Sequence, residues 1–305
     1  MRAVLILFFI FTISFPAGNK KNTQTNLFLP YDVPRSSIKS LRNVVDLRLQ
    51  RIFENKIKLH PKWKSLISNK KMAVGLVDIS DPYNVKFARM NGDEMMYAAS
   101  LPKIAVLLAS FDSIEKGELE PTEDIMNDLR IMISQSNNQA STRMIDRLGY
   151  KKIESVLTDP KYDLYDEDYG GGLWVGKRYA KDGPRYPDPL QGLSHAATVT
   201  QVCRFYYLLA FGNLVNFERS EEMLEIMSDP ELHHKFVNTL EKLAPDAKLY
   251  RKSGSWQSYH SDSILVWDNG WRRYILVALI DDPNGEQICR DLVPVIEDVL
   301  KTAKG

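Results

Sequence analysis

Cysteine and histidine are scarce in this chain of 305 residues, and their placement suggests no metal site. The two cysteines, Cys203 and Cys289, fall on apolar faces of predicted helices. An exported chain could pair them, and two buried free thiols are the other interpretation. The histidines are scattered, and one adjacent pair is not spaced for a single helical face. We therefore interpret all of them as structural or surface residues: His60, His195, His233, His234 and His260.

The chain also lacks an excess of either charge. Its 40 Lys and Arg residues face 39 Asp and Glu residues, which gives a net charge of +1. Because no basic stripe is interleaved with aromatic residues, we expect no nucleic-acid partner. The length and the hydrophobic content of 44% allow one large globular unit or two closely packed ones. No internal repeat or low-complexity segment is present.

A long apolar run occurs at the N-terminus, where residues 3–15 follow the positive Met1-Arg2. This run is too short to span a bilayer comfortably, but it fits the core of a signal peptide. We expect residues 1–18 to be a signal peptide or an N-terminal anchor and residues 19–35 to be a linker. No cysteine follows the run, which argues against a lipoprotein signal. The expected location is periplasmic or secreted, with no membrane association beyond such an anchor.

The remaining pattern predicts an α+β fold. Helical spacing occurs at 36–58, 100–117, 123–134, 139–148, 198–211, 220–228, 231–243 and 286–301, and strand-like runs occur at 72–79, 84–90, 248–255, 261–267 and 274–280. Pro61 is expected to end the first helix, and the aromatic-rich segment 158–195 is expected to be an ordered loop. This order predicts a five-stranded antiparallel sheet flanked by N- and C-terminal helices, with an inserted all-helical domain. The α/β part would comprise 36–90 and 245–305, and the helical part 91–244.

One predicted helix begins at a hydroxyl with an amine one turn later. The pattern Ser-x-x-Lys occurs four times, at Ser36, Ser68, Ser100 and Ser113, but only Ser100 begins a long apolar helix. Pro102 is tolerated only in a first turn, so the helix is predicted to start near Ser100. Free backbone N–H groups and the helix dipole converge there, which suits a nucleophile whose reaction creates an oxyanion. An N-cap with a solvated lysine is the alternative interpretation.

Two further motifs follow in an informative order. Ser136-Asn137-Asn138 lies between two predicted helices, and Lys252-Ser253-Gly254 lies on the third predicted strand. After a helix-initiating Ser-x-x-Lys, this set resembles the motifs of penicillin-recognising serine hydrolases, which include class A β-lactamases and penicillin-binding D,D-peptidases. The resemblance extends from about residue 70 to residue 300 and is closest to class A. A loop and a hairpin edge are the alternative interpretations of the two motifs.

The resemblance implies hydrolysis of a β-lactam amide through an acyl-enzyme. Ser100 would attack the acyl carbon, and Lys103 would accept or relay the proton of its hydroxyl. Ser136 would carry a proton to the leaving nitrogen, assisted electrostatically by Lys252. The backbone N–H groups of Ser100 and Ser255 would form the oxyanion hole.

The resemblance also implies how substrate is held. Asn138 would donate to the side-chain amide of the substrate and to Lys103. Ser253, Gly254 and Ser255 would line the strand edge that binds an extended acyl-amide, with Ser253 facing the substrate carboxylate. The family resemblance implies no metal and no organic cofactor. The expected partner is a small molecule, either a β-lactam or a peptidoglycan-like acyl-amide, and we expect a monomer.

This sequence departs from the family pattern at two places. Asn137 stands where class A usually has Asp. The loop also lacks the Glu-x-x-Leu-Asn pattern whose glutamate activates the deacylating water in class A. Glu167 is the best substitute, with Asp166 and Asp168 close behind, and a solvated acidic turn is the alternative. If no acid reaches the acyl-ester, the protein would acylate and stall.

Two other functions use the same constellation. A D,D-peptidase or another acyl hydrolase would act on a different acyl substrate, and the missing loop motif favours it. A non-catalytic sensor of β-lactams or peptidoglycan would remain acylated, but such a sensor needs a connected signalling domain.

Overall fold

The computed structural model describes residues 28–228 and 230–305. Its strands are β1 Met72–Asp78, β2 Lys86–Met90, β3 Met96–Tyr97, β4 Tyr165–Asp166, β5 Gly171–Gly172, β6 Trp174–Val175, β7 His195–Ala197, β8 Lys248–Trp256, β9 Tyr259–Trp267 and β10 Arg273–Asp281. The main sheet has five strands in the order β2-β1-β10-β9-β8, and each neighbouring pair is antiparallel. The predicted signal peptide or anchor, and residues 19–27 of the predicted linker, lie outside the described residues.

Helices pack on both sides of this sheet. They are α1 Leu47–Lys58, α2 Pro61–Ser68, α3 Lys103–Glu115, α4 Glu123–Ser134, α5 Asn138–Leu148, α6 Tyr150–Leu157, α7 Val199–Ala210, α8 Phe217–Met227, α9 Phe236–Leu243 and α10 Gly285–Lys304. The predicted α+β fold is thereby confirmed: the sheet packs with N- and C-terminal helices, and a helical region is inserted between β2 and β8. In the described part of the chain, no helix is both long enough and apolar enough to cross a membrane.

The central strands are buried on both faces. Alternate residues of β1 point to opposite sides, so Val74 and Leu76 pack with α1 and α10, whereas Ala73 and Val77 pack with the helical part. Strands buried on both faces appear in the sequence as continuous apolar runs, which explains why the predicted bounds of β1 and β10 agree closely with the observed ones. The sheet therefore separates two apolar cores and gives a rigid base for the side chains at its edge.

One glycine lets a helix approach β1. A Cβ atom at Gly75 would lie 2.3 Å from Val199 Cγ1 and 2.7 Å from Cys203 Sγ, so α7 packs directly on this residue. Cys203 is consequently buried, and Cys289 is buried in α10. Both thiols are free, which decides between the two interpretations left open by the sequence.

Several boundaries differ from the prediction. The expected helix 36–58 is divided into 3-10 turns at Arg35–Ser37 and Leu41–Val44 followed by α1, whose first turn is capped by the Asp46 side chain accepting from Leu49 N at 2.7 Å. Pro61 begins α2 rather than only ending α1, because proline needs no hydrogen-bond acceptor in a first turn. Helix α6 was not predicted. Helix α9 begins five residues later than expected.

A small sheet connects the long loop to the nucleophile segment. Strands β3, β7 and β6 pair in that order, with Tyr97 opposite Ala196 and Trp174 opposite the same residue. The next residue, Ala98, donates its N–H to His195 O at 2.9 Å. These hydrogen bonds fix the chain immediately before Ser100 against the loop that closes one side of the cleft.

Candidate active site

Ser100 lies in a sharp turn between β3 and α3. The preceding residue, Ala99, has φ +50, a left-handed conformation that is uncommon for alanine. Ser100 and Leu101 accept from the N–H groups of Lys103 and Ile104 at 3.3 Å, so a tight turn precedes the regular helix. The predicted helix start near Ser100 is thus confirmed to within one turn. The turn holds Ser100 at the N-terminal end of a buried helix, where the helix dipole is positive.

Lys103 is fully buried, and its ammonium group faces the second motif. Its Nζ donates to Ser136 O at 2.6 Å, to Asn138 Oδ1 at 2.8 Å and to Ser136 Oγ at 3.3 Å. Asn138 therefore accepts from Lys103, whereas the sequence interpretation had it donating. Burial lowers the pKa of Lys103 to about 7. A lysine that is neutral in about half of the molecules at pH 7 is suited to general-base work.

Lys252, on β8, reaches the same hydroxyl from the opposite side. Its Nζ donates to Ser136 Oγ at 2.9 Å and to Ser253 O at 2.7 Å. Burial, and then the charge of Lys103, lower the pKa of Lys252 well below its ordinary value. Ser136 itself has φ +58, so its turn points the hydroxyl between the two amines. Residues separated by more than a hundred positions are thus joined in one proton-carrying cluster.

Gly254 allows β8 to touch the nucleophile turn. A Cβ atom there would lie 2.3 Å from Ala98 O and 2.6 Å from Ser100 N. Ser261, on the neighbouring strand, donates its hydroxyl to Ala98 O at 2.8 Å and holds the same contact. Strand β8 is the last strand of the sheet, so its free edge has backbone groups available for an extended ligand. Ser253 is buried at this edge and Ser255 is exposed.

A third buried lysine, Lys235, supports this edge and was missed by the sequence analysis. Its Nζ donates to Gly254 O at 2.5 Å, to Ser255 Oγ at 2.8 Å and to Ser261 O at 3.0 Å. Its segment is fixed by the buried Arg251–Asp262 ion pair, in which Asp262 also accepts from Phe236 N. No sequence signal marks Lys235, because it falls inside a predicted helix.

The opposite wall of the cleft is aromatic. Tyr179 places its ring 4.4 Å from Lys103 Nζ and 4.3 Å from the His195 ring, and its hydroxyl donates to Ala99 O at 3.2 Å. His195 is buried, and this burial lowers its pKa to about 4, so the imidazole is neutral at pH 7. Tyr179 was also missed. Its only sequence signal is the aromatic content of the loop.

The open cleft has a volume of about 600 Å³ and a positive lining. Ser100, Asn138 and Ser255 line it together with Lys177 and other residues of the loop. The cations of the lining are Lys177, Arg178 and Lys181, and no carboxylate among the described residues lines it. No group of three or more His, Cys, Asp or Glu in the described ranges could hold a metal ion.

The structure does not bring Glu167 to this cleft. Glu167 is exposed in the 3-10 helix Glu167–Tyr169, between the paired strands β4 and β5. Tyr169 packs under the Arg42 guanidinium at 4.1 Å, and a Cβ atom at Gly170 would lie 2.5 Å from Asp93 O. The turn is therefore held by Arg42 and Asp93, and its two aspartates, Asp166 and Asp168, are held with it outside the described lining of the cleft.

Comparisons with known proteins agree with this arrangement. A family model described as the β-lactamase enzyme family matches residues 58–130 and 126–296. A β-lactamase from Sphaerobacter thermophilus is 14% identical with a TM-score of 0.62, covering 83% of this chain and 95% of that one. PBP-A is 16% identical with a TM-score of 0.61, covering 90% and 100%. A PBP-A variant, described as an acyl-enzyme complex with penicillin G, is 17% identical with a TM-score of 0.62, covering 83% and 96%.

No curated protein sequence matches the chain significantly. The structural neighbours share too little sequence to carry more than the fold. The family model, in contrast, spans most of the chain, including the segments that hold Ser100, Ser136 and Lys252. The chain therefore belongs to the β-lactamase enzyme family.

Proposed function

We propose that this protein is an acyl-serine hydrolase that opens the lactam amide of penicillins and forms an acyl-enzyme on Ser100. The observation that carries the proposal is the Ser136 hydroxyl held between the two buried amines of Lys103 and Lys252. A structural role does not require two buried lysines to share one hydroxyl, since each buried ammonium group is costly to desolvate. Such an arrangement suits proton transfer, because it places two bases of lowered pKa on one hydroxyl.

Acylation follows from the directions of these hydrogen bonds. Ser100 Oγ attacks the lactam carbonyl carbon while its proton passes to neutral Lys103. The backbone N–H groups of Ser100 and Ser255 stabilise the oxyanion, and each such donor is worth about 3 kcal/mol. As the tetrahedral intermediate collapses, the C–N bond breaks. Ser136 then protonates the leaving nitrogen and is reprotonated from Lys103.

Anion recognition is assigned to the β8 edge. Ser253 faces the substrate carboxylate in this proposal, and Lys252 adds positive charge behind it. Lys235 donates to Ser255 Oγ and thereby orients that hydroxyl toward the same side of the cleft. Asn138 accepts from Lys103 through Oδ1, so its amide N–H groups are available for a side-chain carbonyl of the substrate.

A second candidate function is that of a D,D-peptidase or a related acyl hydrolase. It is favoured by a specific observation: no carboxylate among the described residues lines the cleft, and Glu167 is held elsewhere. Without a carboxylate base, the acyl-enzyme formed with a penicillin should hydrolyse slowly. The natural acyl donor would then be a peptidoglycan-like amide.

Mass spectrometry of the purified protein mixed with benzylpenicillin tests the proposal. We expect an adduct of the intact drug mass on the Ser100 peptide, and its decay rate separates the two candidates. Ser100→Ala should abolish the adduct. Ser68→Ala is the matched control, because Ser68 begins another Ser-x-x-Lys pattern but is exposed on α2. Labelling that persists in Ser100→Ala, or moves to another residue, would overturn the assignment.

A further inference from the structure

The ring of Tyr179 covers one side of the Lys103 amine, beside the oxygens of Ser136 and Asn138 that accept from it. The three N–H directions of the protonated amine point to oxygens of Ser136 and Asn138. The Tyr179 ring lies 4.4 Å from Nζ, and Lys103 has no exposed surface. Tyr179 lines the cleft and Lys103 does not, so the ring screens part of the amine from the cleft.

The position of the ring is fixed at three points. Its hydroxyl donates to Ala99 O, one residue before Ser100, and its face packs on the buried His195 ring. The neighbouring Arg178 is tied to α5 through Asp146 at 2.5 Å. A tyrosine side chain has only two rotatable bonds before its ring, so these contacts hold the Tyr179 ring in one position.

Hydrolysis of an acyl-Ser100 needs a base that water can reach. The base in this inference is neutral Lys103, since no carboxylate among the described residues lines the cleft. Its lone pair would take a proton from water as the water oxygen attacks the ester carbonyl carbon. When the tetrahedral intermediate collapses, the bond between carbon and Ser100 Oγ breaks, and the proton held by Lys103 passes to Oγ. In this inference the water would approach Lys103 from the side that the Tyr179 ring now covers.

We propose that Tyr179 is a positioning residue that shields Lys103 from water and so prolongs the acyl-enzyme on Ser100. The inference rests on the proposed function, since it concerns the fate of the acyl group that the proposed function forms. Slow hydrolysis of the acyl-enzyme would then have two causes. One is the Tyr179 ring, and the other is the lack of a carboxylate among the described residues that line the cleft.

Single-turnover release of fluorescent penicillin from the acylated protein tests the shield. Tyr179→Ala should shorten the acyl-enzyme lifetime by about 10- to 100-fold, within the range of general-base catalysis. Tyr179→Phe keeps the ring and should retain most of the shielding, although it loses the hydrogen bond to Ala99. Tyr169→Ala is the matched control, because Tyr169 belongs to the same loop but packs on Arg42 outside the cleft.

The pH dependence separates a shield from general loosening of the site. In Tyr179→Ala the release rate should rise with pH as Lys103 loses its proton, whereas a loosened fold gives a rate without this titration. If Tyr179→Ala is not acylated, the acyl-enzyme lifetime is measured in Tyr179→Leu, which also lacks the ring but leaves a smaller space beside Lys103. An unchanged lifetime in an acylated variant overturns the shield alone. Failure of the unmodified protein to form an adduct overturns the proposed function instead.

Discussion

The rate of acylation at Ser100 is expected to rise with pH through neutrality, because the reaction needs Lys103 without its proton. Burial lowers the pKa of this amine from 10.5 to about 7. At pH 7 about half of the molecules then hold a neutral Lys103, whereas an exposed lysine would be neutral in roughly one molecule in three thousand. The acid limb should fall tenfold per pH unit below pH 6, and the rate should reach a plateau above pH 8.

The sign follows from the protonation states. Below the pKa, the ammonium group has no lone pair and cannot accept the proton of Ser100 Oγ, so acid removes the active form. Above the pKa, further alkali does not increase the neutral fraction. The second-order rate constant for a chromogenic cephalosporin, measured from pH 5 to pH 9 at constant ionic strength, reports this titration on the free enzyme.

The matched variant is Lys103→Arg, whose guanidinium group stays protonated throughout this range. It should lose acylation by about 10²–10⁴-fold and show no acid limb near pH 7. Thermal unfolding confirms that the variant is folded. A pH-independent rate in the unmodified protein, or an apparent pKa near that of a free lysine, would refute the role given to burial of Lys103.

Three further substitutions test the supporting structure. Gly254→Ala should reduce the rate of acylation by about 100-fold and the free energy of unfolding by about 1–3 kcal/mol, because the added Cβ would lie 2.3 Å from Ala98 O. An acylation rate equal to that of the unmodified protein would contradict this expectation. Lys235→Met should lower the free energy of unfolding in urea by about 1–3 kcal/mol, because the hydrogen bonds to Gly254 and Ser255 are lost. It should also weaken the binding of carboxylate-bearing substrates more than that of their esters, and an equal effect on acids and esters would argue against this role. Glu167→Gln should leave the acyl-enzyme lifetime unchanged, and a markedly longer lifetime would return Glu167 to the mechanism.

The sequence predicted most of the fold because its main elements have clear hydrophobic patterns. Strands buried on both faces, such as β1, appear as uninterrupted apolar runs, and α4 has a clear amphipathic pattern. The errors in the predicted boundaries occur where a residue is compatible with two local structures. Pro61 is compatible with the end of one helix and the first turn of the next, and the chain uses it for both.

The candidate site was predictable only where its residues form short motifs. Ser100, Ser136 and Lys252 could be found because each belongs to a short motif, two of them beside helix starts and one within a strand. Lys235 and Tyr179 act through tertiary contacts alone, and nothing in their neighbouring residues indicates the partner. Glu167 lies outside the described lining of the cleft, and its role in deacylation stays a prediction, because sequence order cannot show which residues of a long loop reach the site.

The two amines at Ser136 indicate how the proposed site could act without an external base. Both Nζ atoms bond the same hydroxyl, at 3.3 and 2.9 Å, so two full charges would stand no more than about 6 Å apart and repel by roughly 3 kcal/mol at an effective dielectric constant near 20. Burial adds to this cost, so the pair holds fewer protons than two exposed lysines would. A neutral Lys103 then has the lone pair that would accept the proton of Ser100. Acylation is therefore prepared by the resting charge state of Lys103 and Lys252, whereas hydrolysis depends on whether water can reach the same amine.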